Sequence, residues 1–315
     1  MTSAPLTPLE APLYDPRRDH DACGVGFVAD LHGRHRSRTV AMALEALDAL
    51  EHRGARAADD ATGDGAGISI PLSRRLLRRI AAEAGVSLDT GASVAVGMCF
   101  LPPRSAAIEA AVRLVAEEVA AAGLALLGWR RVPTNGDVLG RRRIGGTPEI
   151  RQVLVGAPRR IRALAFARRL ALARRAAEQR AARTPGLEEL AVVSLSPRTV
   201  VYKGLFVGAE LGRFYADLTA DDLDARYALF HQRYSTNTFP SWRLAQPFGY
   251  LAHNGEINTI RANREAMRGR RHALGGGAWA RRLAEAGPLV STDASDSASL
   301  DEALELLLLA GWPID

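Results

Sequence analysis

Two spacings of apolar residues divide the chain. Short apolar or alternating runs predict strands at "CGVGFVADL", "GAGISIPL", "SVAVGMCFLP", "LALLGWRRVP", "IRQVLVGAP", "LAVVSLSPRTVVYKG", "RYALFHQRYS" and "FGYLAHNGEI". Helical spacing takes over at "RTVAMALEALDALEHRG", where Val40, Leu44, Leu47 and Leu50 share a face and Gly54 supplies a stop signal. "SRRLLRRIAAEAG", "SAAIEAAVRLVAEEVAAAG", "TIRANREAMRGRRHAL" and "DSASLDEALELLLLAG" predict further helices, and "LGGGAW" a loop. Within Arg159–Arg183, Ala163, Phe166, Leu170, Ala173 and Ala177 fall on one helical face, with Arg168 and Arg175 opposite on what reads as a solvated face. Strands come in adjacent groups with helices interspersed and no regular βαβ alternation, which predicts an α+β fold of stacked sheets with helical outer layers. The tail up to Ala22 is Pro-rich and aperiodic, there is no internal repeat or clear linker, and the chain stops directly after an apolar helix, as a piece of a longer protein would.

Composition narrows the class. The chain has 315 residues, 47% hydrophobic and 24% charged, which suits one large or two small globular domains. No apolar run approaches the ~18–20 residues that cross a bilayer. The tail lacks a basic region followed by an apolar one, and Glu10, Asp15 and Asp19 argue against a transit peptide, so the expected location is cytoplasmic, with no membrane partner. A net charge of +6 and a pI near 9.9 raise the question of nucleic acid. Of the 41 basic residues, however, Lys203 alone is lysine. Arginine and alanine are enriched along the whole chain, so the charge marks a compositional bias, and no nucleic-acid partner is expected.

Cys23 and Cys99 are too few for a disulfide framework or a cysteine zinc site. Cys99 lies in an apolar strand and reads as a core thiol. That leaves Cys23, in "RRDHDACGVGFVAD", as the thiol available for chemistry. Other signals are weak. "GDGAG" has no Lys-Ser/Thr and opens no helix, so it is a glycine turn into a strand. His32 and His35 lack a third ligand nearby, no HExxH or Gly-x-Ser-x-Gly occurs, and no metal site is expected.

Four separated stretches stand out in their order: "DACGVGF", "LEHRGARAADDATGDGAGI", "HQRYSTNTFPSW" followed by "LAHNGEINT", and "SDSASLD". Singly, an Asn-Gly is a turn, a Ser-Asp before a helix is a cap, and a strand arginine is solvated. Jointly, they resemble the glutaminase domain of class II, N-terminal-nucleophile glutamine amidotransferases. With "GWRRVP" and "VYKG" they are closest to the amino-terminal part of the large subunit of glutamate synthases, from about Tyr14 to the end.

The resemblance implies a four-layer αββα sandwich, incomplete at its C-terminus: a propeptide over residues 1–22 and the amidotransferase domain over 23–315, cut before its natural end. It implies cleavage before Cys23, so that the freed α-amine, with a pKa of ~7.7–8.0 against ~8.5 for the thiol, serves as base for its own side chain. Cys23 would attack the glutamine amide. The Asn254 side chain and the Gly255 N–H would face the oxyanion, Arg233 would bind the α-carboxylate, and Asp296 the α-ammonium. Thr236 would line the pocket, and Arg53 and Gly54 would pack beside the nucleophile. No cofactor is implied in this segment. FMN and an iron–sulfur cluster belong to the rest of such an enzyme, where ammonia aminates 2-oxoglutarate. The implied partners are L-glutamine, the downstream synthase domains, and a small electron-donating subunit or ferredoxin. The sequence departs from the family at Arg56 and Ala57, where small residues and often cysteine are expected, and at Gln246, where relatives often show histidine. Another class II amidotransferase, or a non-catalytic module of the same fold, remains open.

Overall fold

The computed structural model describes residues 24–33, 36–50, 63–89, 91, 93–139, 146–157, 161–233, 239–270, 278–291 and 294–313. They form two four-stranded sheets, antiparallel throughout. The first takes β1 (Val25–Ala29), β2 (Ala66–Pro71), β7 (Thr199–Gly204) and β8 (Tyr227–Gln232) in the order β1-β8-β2-β7. The second takes β3 (Val94–Leu101), β4 (Ala125–Arg131), β5 (Glu149–Gly156) and β6 (Ala191–Ser196) in the order β4-β5-β3-β6. The run "LAVVSLSPRTVVYKG" divides at Pro197–Arg198 into β6 and β7, carrying the chain from one sheet to the other.

Alternation along β3 decides how the second sheet is covered. Val96, Met98 and Phe100 join a core with Ile68, Ile70, Tyr202 and Phe230 of the first sheet. That core is completed by α1 (Arg36–Ala49) and α2 (Arg74–Glu83) through Val40, Leu47, Leu76 and Ile80. Ala95, Cys99 and Leu101 point the other way, into a second core under α3 (Ser105–Ala121) and α4 (Ala163–Ala181). Cys99 is the core thiol expected, fully buried, and burial pushes its pKa far above the ordinary range. One polar network crosses the first core. The Arg130 guanidinium on β4 donates to both carboxylate oxygens of Asp217 at 2.6 and 2.8 Å and to Gln152 on β5 at 2.8 Å, while Tyr202 on β7 donates to Asp217 at 2.9 Å. Full pairing is what makes these buried polar groups tolerable.

Several sequence expectations change. "FGYLAHNGEI" is not a strand: residues 247–257 are irregular. Helix α1 ends at Ala49, short of Gly54, which lies outside the described residues. After a single turn, α5 (Leu211–Phe214), and the expected α6 (Ile260–Gly269), a helix not expected, α7 (Ala278–Ala286), packs on α4. The largest correction concerns the arginine-rich helix. Arg175 is buried rather than solvated, because α8 (Asp296–Ala310) covers that side of α4. Its guanidinium holds Glu305 of α8 at 3.1 Å and donates to Leu289 O at 2.8 Å. Arg174 meets the same carboxylate at 2.5 Å. Arg168 donates to Leu309 O at 2.8 Å and stacks over Trp279, 4.6 Å from the ring centroid. Amphipathicity predicts one buried face. It is silent about a charged face that meets an opposite charge from a distant helix.

Burial alone would raise the Glu305 pKa, but Arg174 and Arg175 outweigh it and hold it below the ordinary carboxylate value. A depressed carboxylate pKa stabilises the fold above the unfolded value and ceases to do so as pH falls through the folded one. Glu305→Leu, which strands two arginines at a buried junction, is expected to cost about 3–5 kcal/mol in urea unfolding at pH 7. The deficit should shrink in acid. An unchanged midpoint would show that the α4–α8 contact does not depend on this cluster.

Candidate active site

Strand direction in the first sheet brings four chain ends together. β1 and β2 begin, and β7 and β8 finish, at the same edge: Ala66 pairs with both Gly204 and Gln232, and Val25 with His231. The ladder runs one step further through Gln232 N–H to Gly24 O at 2.7 Å and Arg233 N–H to Gly65 O at 2.8 Å. Gly24, the residue after Cys23, is thus fixed beside Gln232. A Cβ on Gly24 would lie 2.1 Å from Gln232 O, so only glycine allows this approach.

Arg233 stands at that edge, 7% exposed, with Nη1 donating to Leu244 O at 3.1 Å and Asp64 as its nearby counter-charge. Burial lowers its pKa and Asp64 partly restores it. His231, two residues back on the same face of β8, is pushed down to about 3 by burial and then by the charge of Arg233, while contact with the Asn254 side chain works the other way. The ring is therefore a neutral imidazole at physiological pH, with Asn254 against it.

Asn254 and Gly255 sit in the irregular segment 247–257, both exposed at the surface. Gly255 does not use a positive φ, so the hairpin-turn reading of "HNG" does not apply. Backbone groups that no ladder satisfies must find other partners, and side chains supply them. The Gln246 carboxamide takes both groups of His253, accepting from its N–H and donating to its C=O, each at 2.9 Å. Asp301 on α8 accepts from Tyr250 N–H at 2.7 Å and Leu251 N–H at 3.0 Å. Asp296, in the first turn of α8, accepts from Ile257 N–H at 2.9 Å. The His253 ring is 2.9 Å from Ser297 Oγ and would lie 3.3 Å from a Cβ on Gly255. Ser295 caps α8, its side chain accepting from Ala298 N–H, so the Ser-Asp pair serves as the cap the sequence suggested and as an anchor for the loop.

Of the residues singled out in the sequence, Arg233 and Asn254 lie near His231, Gly255 follows Asn254 on the loop, and Asp296 reaches that loop from α8. Cys23, Arg53, Gly54 and Thr236 lie outside the described residues, as do Arg56 and Ala57. Gln246, His253, Ser297 and Asp301 carry the loop, and sequence reasoning gave them no role. Gln246 was visible only as an oddity where histidine is common. Among the described residues no group of three or more His, Cys, Asp or Glu is placed to hold a metal, and no helix is long and apolar enough to cross a membrane.

Known proteins add an independent finding. The family "Glutamine amidotransferases class-II" matches residues 23–315. The chain is 39% identical over 310 residues to the "Glutamate synthase [NADPH] large chain" of Azospirillum brasilense, covering 98% of this chain and 20% of that protein. It is 42% identical over 294 residues to "Ferredoxin-dependent glutamate synthase 2" of Synechocystis, covering 93% and 19%. The Bacillus subtilis NADPH large chain matches at 36% over 300 residues, covering 95% and 20%. The chain spans about a fifth of the length of these relatives.

Removing the Gln246 carboxamide tests whether side chains set the loop. Gln246→Leu keeps the volume but abandons the His253 N–H and C=O, so a loss of about 1–3 kcal/mol is expected. Amide exchange at His253 should quicken while β3 and β5 amides keep their rates. Equal acceleration everywhere would mean that Gln246 supports the whole fold and not the loop.

Proposed function

The chain belongs to the class II glutamine amidotransferases, and from that premise we propose that it is the glutaminase part of a glutamate synthase. It would hydrolyse L-glutamine to glutamate and ammonia. One observation carries the reading: a buried arginine, a neutral histidine and an asparagine–glycine pair converge on the sheet edge where the residue after Cys23 is seated. The identities to glutamate synthases favour that subfamily over other amidotransferases.

The chemistry then assigns roles. Once Cys23 is the first residue, its α-amine takes the thiol proton and Sγ attacks the side-chain amide carbon of glutamine. Charge developing on the amide oxygen falls to the Asn254 side chain and the Gly255 N–H, donors on a loop whose backbone is already fixed and so needs no reorganisation. The neutral His231 ring lies near Asn254 without adding a full charge beside Arg233. The tetrahedral adduct collapses with the proton returned to nitrogen. Ammonia leaves, and Cys23 holds a γ-glutamyl thioester that water cleaves to glutamate. Arg233 suits the α-carboxylate, as a guanidinium fork prearranged by Leu244 O and Asp64. Asp296 suits the α-ammonium. Thr236, Arg53 and Gly54 complete the pocket on this reading.

Residues 1–22 are then a propeptide that keeps the Cys23 nitrogen an amide, which cannot act as a base. A family match that starts at residue 23 supports this. Two antiparallel sheets sharing a core, with α3 and α4 on the far side of the second, support the four-layer αββα arrangement of N-terminal-nucleophile hydrolases. Amination of 2-oxoglutarate, FMN, the iron–sulfur cluster and the electron donor, a small subunit or ferredoxin, belong on this reading to synthase domains outside these 315 residues. The cytoplasm is the expected setting.

Intact mass of the protein from its own host should show a chain beginning at Cys23. Cys23→Ala is expected to abolish glutamine hydrolysis without unfolding the protein, and Asn254→Ala to slow it by roughly 10²–10³-fold, about 3–4 kcal/mol of barrier. Normal turnover by a protein that retains residues 1–22 would exclude the terminal amine as base.

A further inference from the structure

Lysine occurs once in this arginine-rich chain, and that one is buried. Lys203, in β7, is 1% exposed. Its Nζ donates to Arg243 O at 2.9 Å and lies 4.9 Å from the centroid of the Phe248 ring. On the sheet it shares a row with His231, both paired in register with Gly67 between them. A Cβ at Gly67 would come within 2.5 Å of Lys203 Cβ and 2.6 Å of Gln246 O, so the missing side chain is what admits the lysine stem and the Arg243–Gln246 turn together.

That turn links three groups of the candidate site. Arg243 O is held by Lys203, the next carbonyl, Leu244 O, is held by Arg233, and two residues on Gln246 fixes His253 ahead of Asn254. Arginine supplies every other basic side chain, so a single lysine standing where a cation is costly to bury points to a need for a compact amine. Arginine would bring a broad planar fork where lysine sets a single compact amine between Phe248 and the turn. We propose that Lys203 is a positioning residue for glutamine hydrolysis, acting through the Arg243–Gln246 turn to set where Arg233 and Asn254 stand. The proposal rests on the glutaminase reading above. It adds a residue that does not touch glutamine but positions two that would, Arg233 at the α-carboxylate and Asn254 at the amide oxygen.

The charges around Lys203 also make it responsive. Arg243 on the turn and Arg233, just past β8, oppose its protonation, Asp301 on α8 and Glu178 on α4 favour it, and His231 across Gly67 stays neutral. Burial dominates and lowers its pKa to about 7. Unfolded lysine binds its proton up to its ordinary value, so between about 7 and that value the unfolded chain carries more protons and stability rises with pH. Below about 7 the amine is charged beside Arg233, and the carboxylate end of glutamine should bind more tightly there.

Lys203→Met and Lys203→Arg test the proposal in the full chain. Each is expected to raise KM for glutamine roughly tenfold, the scale of one buried hydrogen bond, with a smaller change in kcat. Each should also erase the component of the KM–pH profile with a midpoint near 7. A folded Lys203→Arg protein with unchanged KM and profile would overturn the proposal, as would a Lys203→Met protein altered in melting temperature alone. Should neither variant fold, the native protein still answers. Labelling with 13Cε-lysine gives one signal, which is expected to shift on saturation with L-glutamate, the unreactive product. A signal indifferent to L-glutamate at pH 7 counts against the proposal. If the unsubstituted chain, processed so that it begins at Cys23, hydrolyses no glutamine, the glutaminase reading fails and takes this proposal with it. If hydrolysis is normal and Lys203 is indifferent, the positioning role alone falls.

Discussion

The segment that presents Asn254 and Gly255 makes no ladder of its own, so side chains from elsewhere must satisfy its backbone. This requirement organises much of the fold around the site. Gln246 closes on both polar groups of His253, and Asp296 and Asp301 take three further N–H groups from one side of α8. Helix α8 therefore serves as a rail for the loop. The rail is itself fastened by Arg174 and Arg175, which grip Glu305 from α4, and α4 rests on the second sheet. The candidate oxyanion donors are thus referenced to the second sheet through two helices. Arg233 and the residue after Cys23 belong to the first. Registration between the two sheets, secured by the buried Arg130–Asp217–Tyr202 network, becomes a condition for the site.

How much of this was legible depended on the range of the interaction. Period-two and helical spacing located β1 to β8 and the long helices because those signals are local. The same reasoning failed at "FGYLAHNGEI", whose alternation resembles a strand. Gln246, seven residues from His253, and Asp301, some 50 residues from Tyr250 and Leu251, capture that backbone instead, and a strand pattern registers neither. Arg175 read as solvated because its partner, Glu305, lies 130 residues away in sequence. Helix α7 went unread because the glycine-rich stretch "LGGGAW" suggests a loop, although its last two residues, Ala278 and Trp279, begin the helix. The order of short motifs was the exception. It singled out Arg233, Asn254, Gly255 and Asp296 as candidates; Arg233 and Asn254 lie near His231, and Asp296 is tied to the loop that carries Asn254 and Gly255.

Charge at the sheet edge is graded rather than merely positive. Arg233 stays cationic with Asp64 for company, His231 is held neutral, and Lys203 is lowered to about 7, all within one buried row and its neighbour. The cause is common to all three: burial disfavours each added charge, and the first full charge, on Arg233, disfavours the next. Such a gradient suits a substrate that brings one carboxylate. A single fixed cation gives orientation, while several would bind anions in any pose.

The same reasoning exposes a tension at Asp296. A zwitterionic substrate needs an anion for its ammonium, and this carboxylate is already employed. Its Oδ2 accepts from Ile257 N–H at 2.9 Å, and its Oδ1 lies 3.9 Å from the Arg264 guanidinium. An arriving ammonium would share Oδ1 with Arg264, which has Ala294 O at 2.6 Å and Ser299 Oγ at 3.0 Å to fall back on. Arg264 can therefore yield without being stranded, and Asp296 can exchange one cation for another while keeping its hold on the loop. On the glutaminase reading, Asp296 would meet the ammonium of glutamine while fixing the backbone three residues beyond Asn254. Substrate binding at one end of the molecule would then tighten the oxyanion donors facing the other.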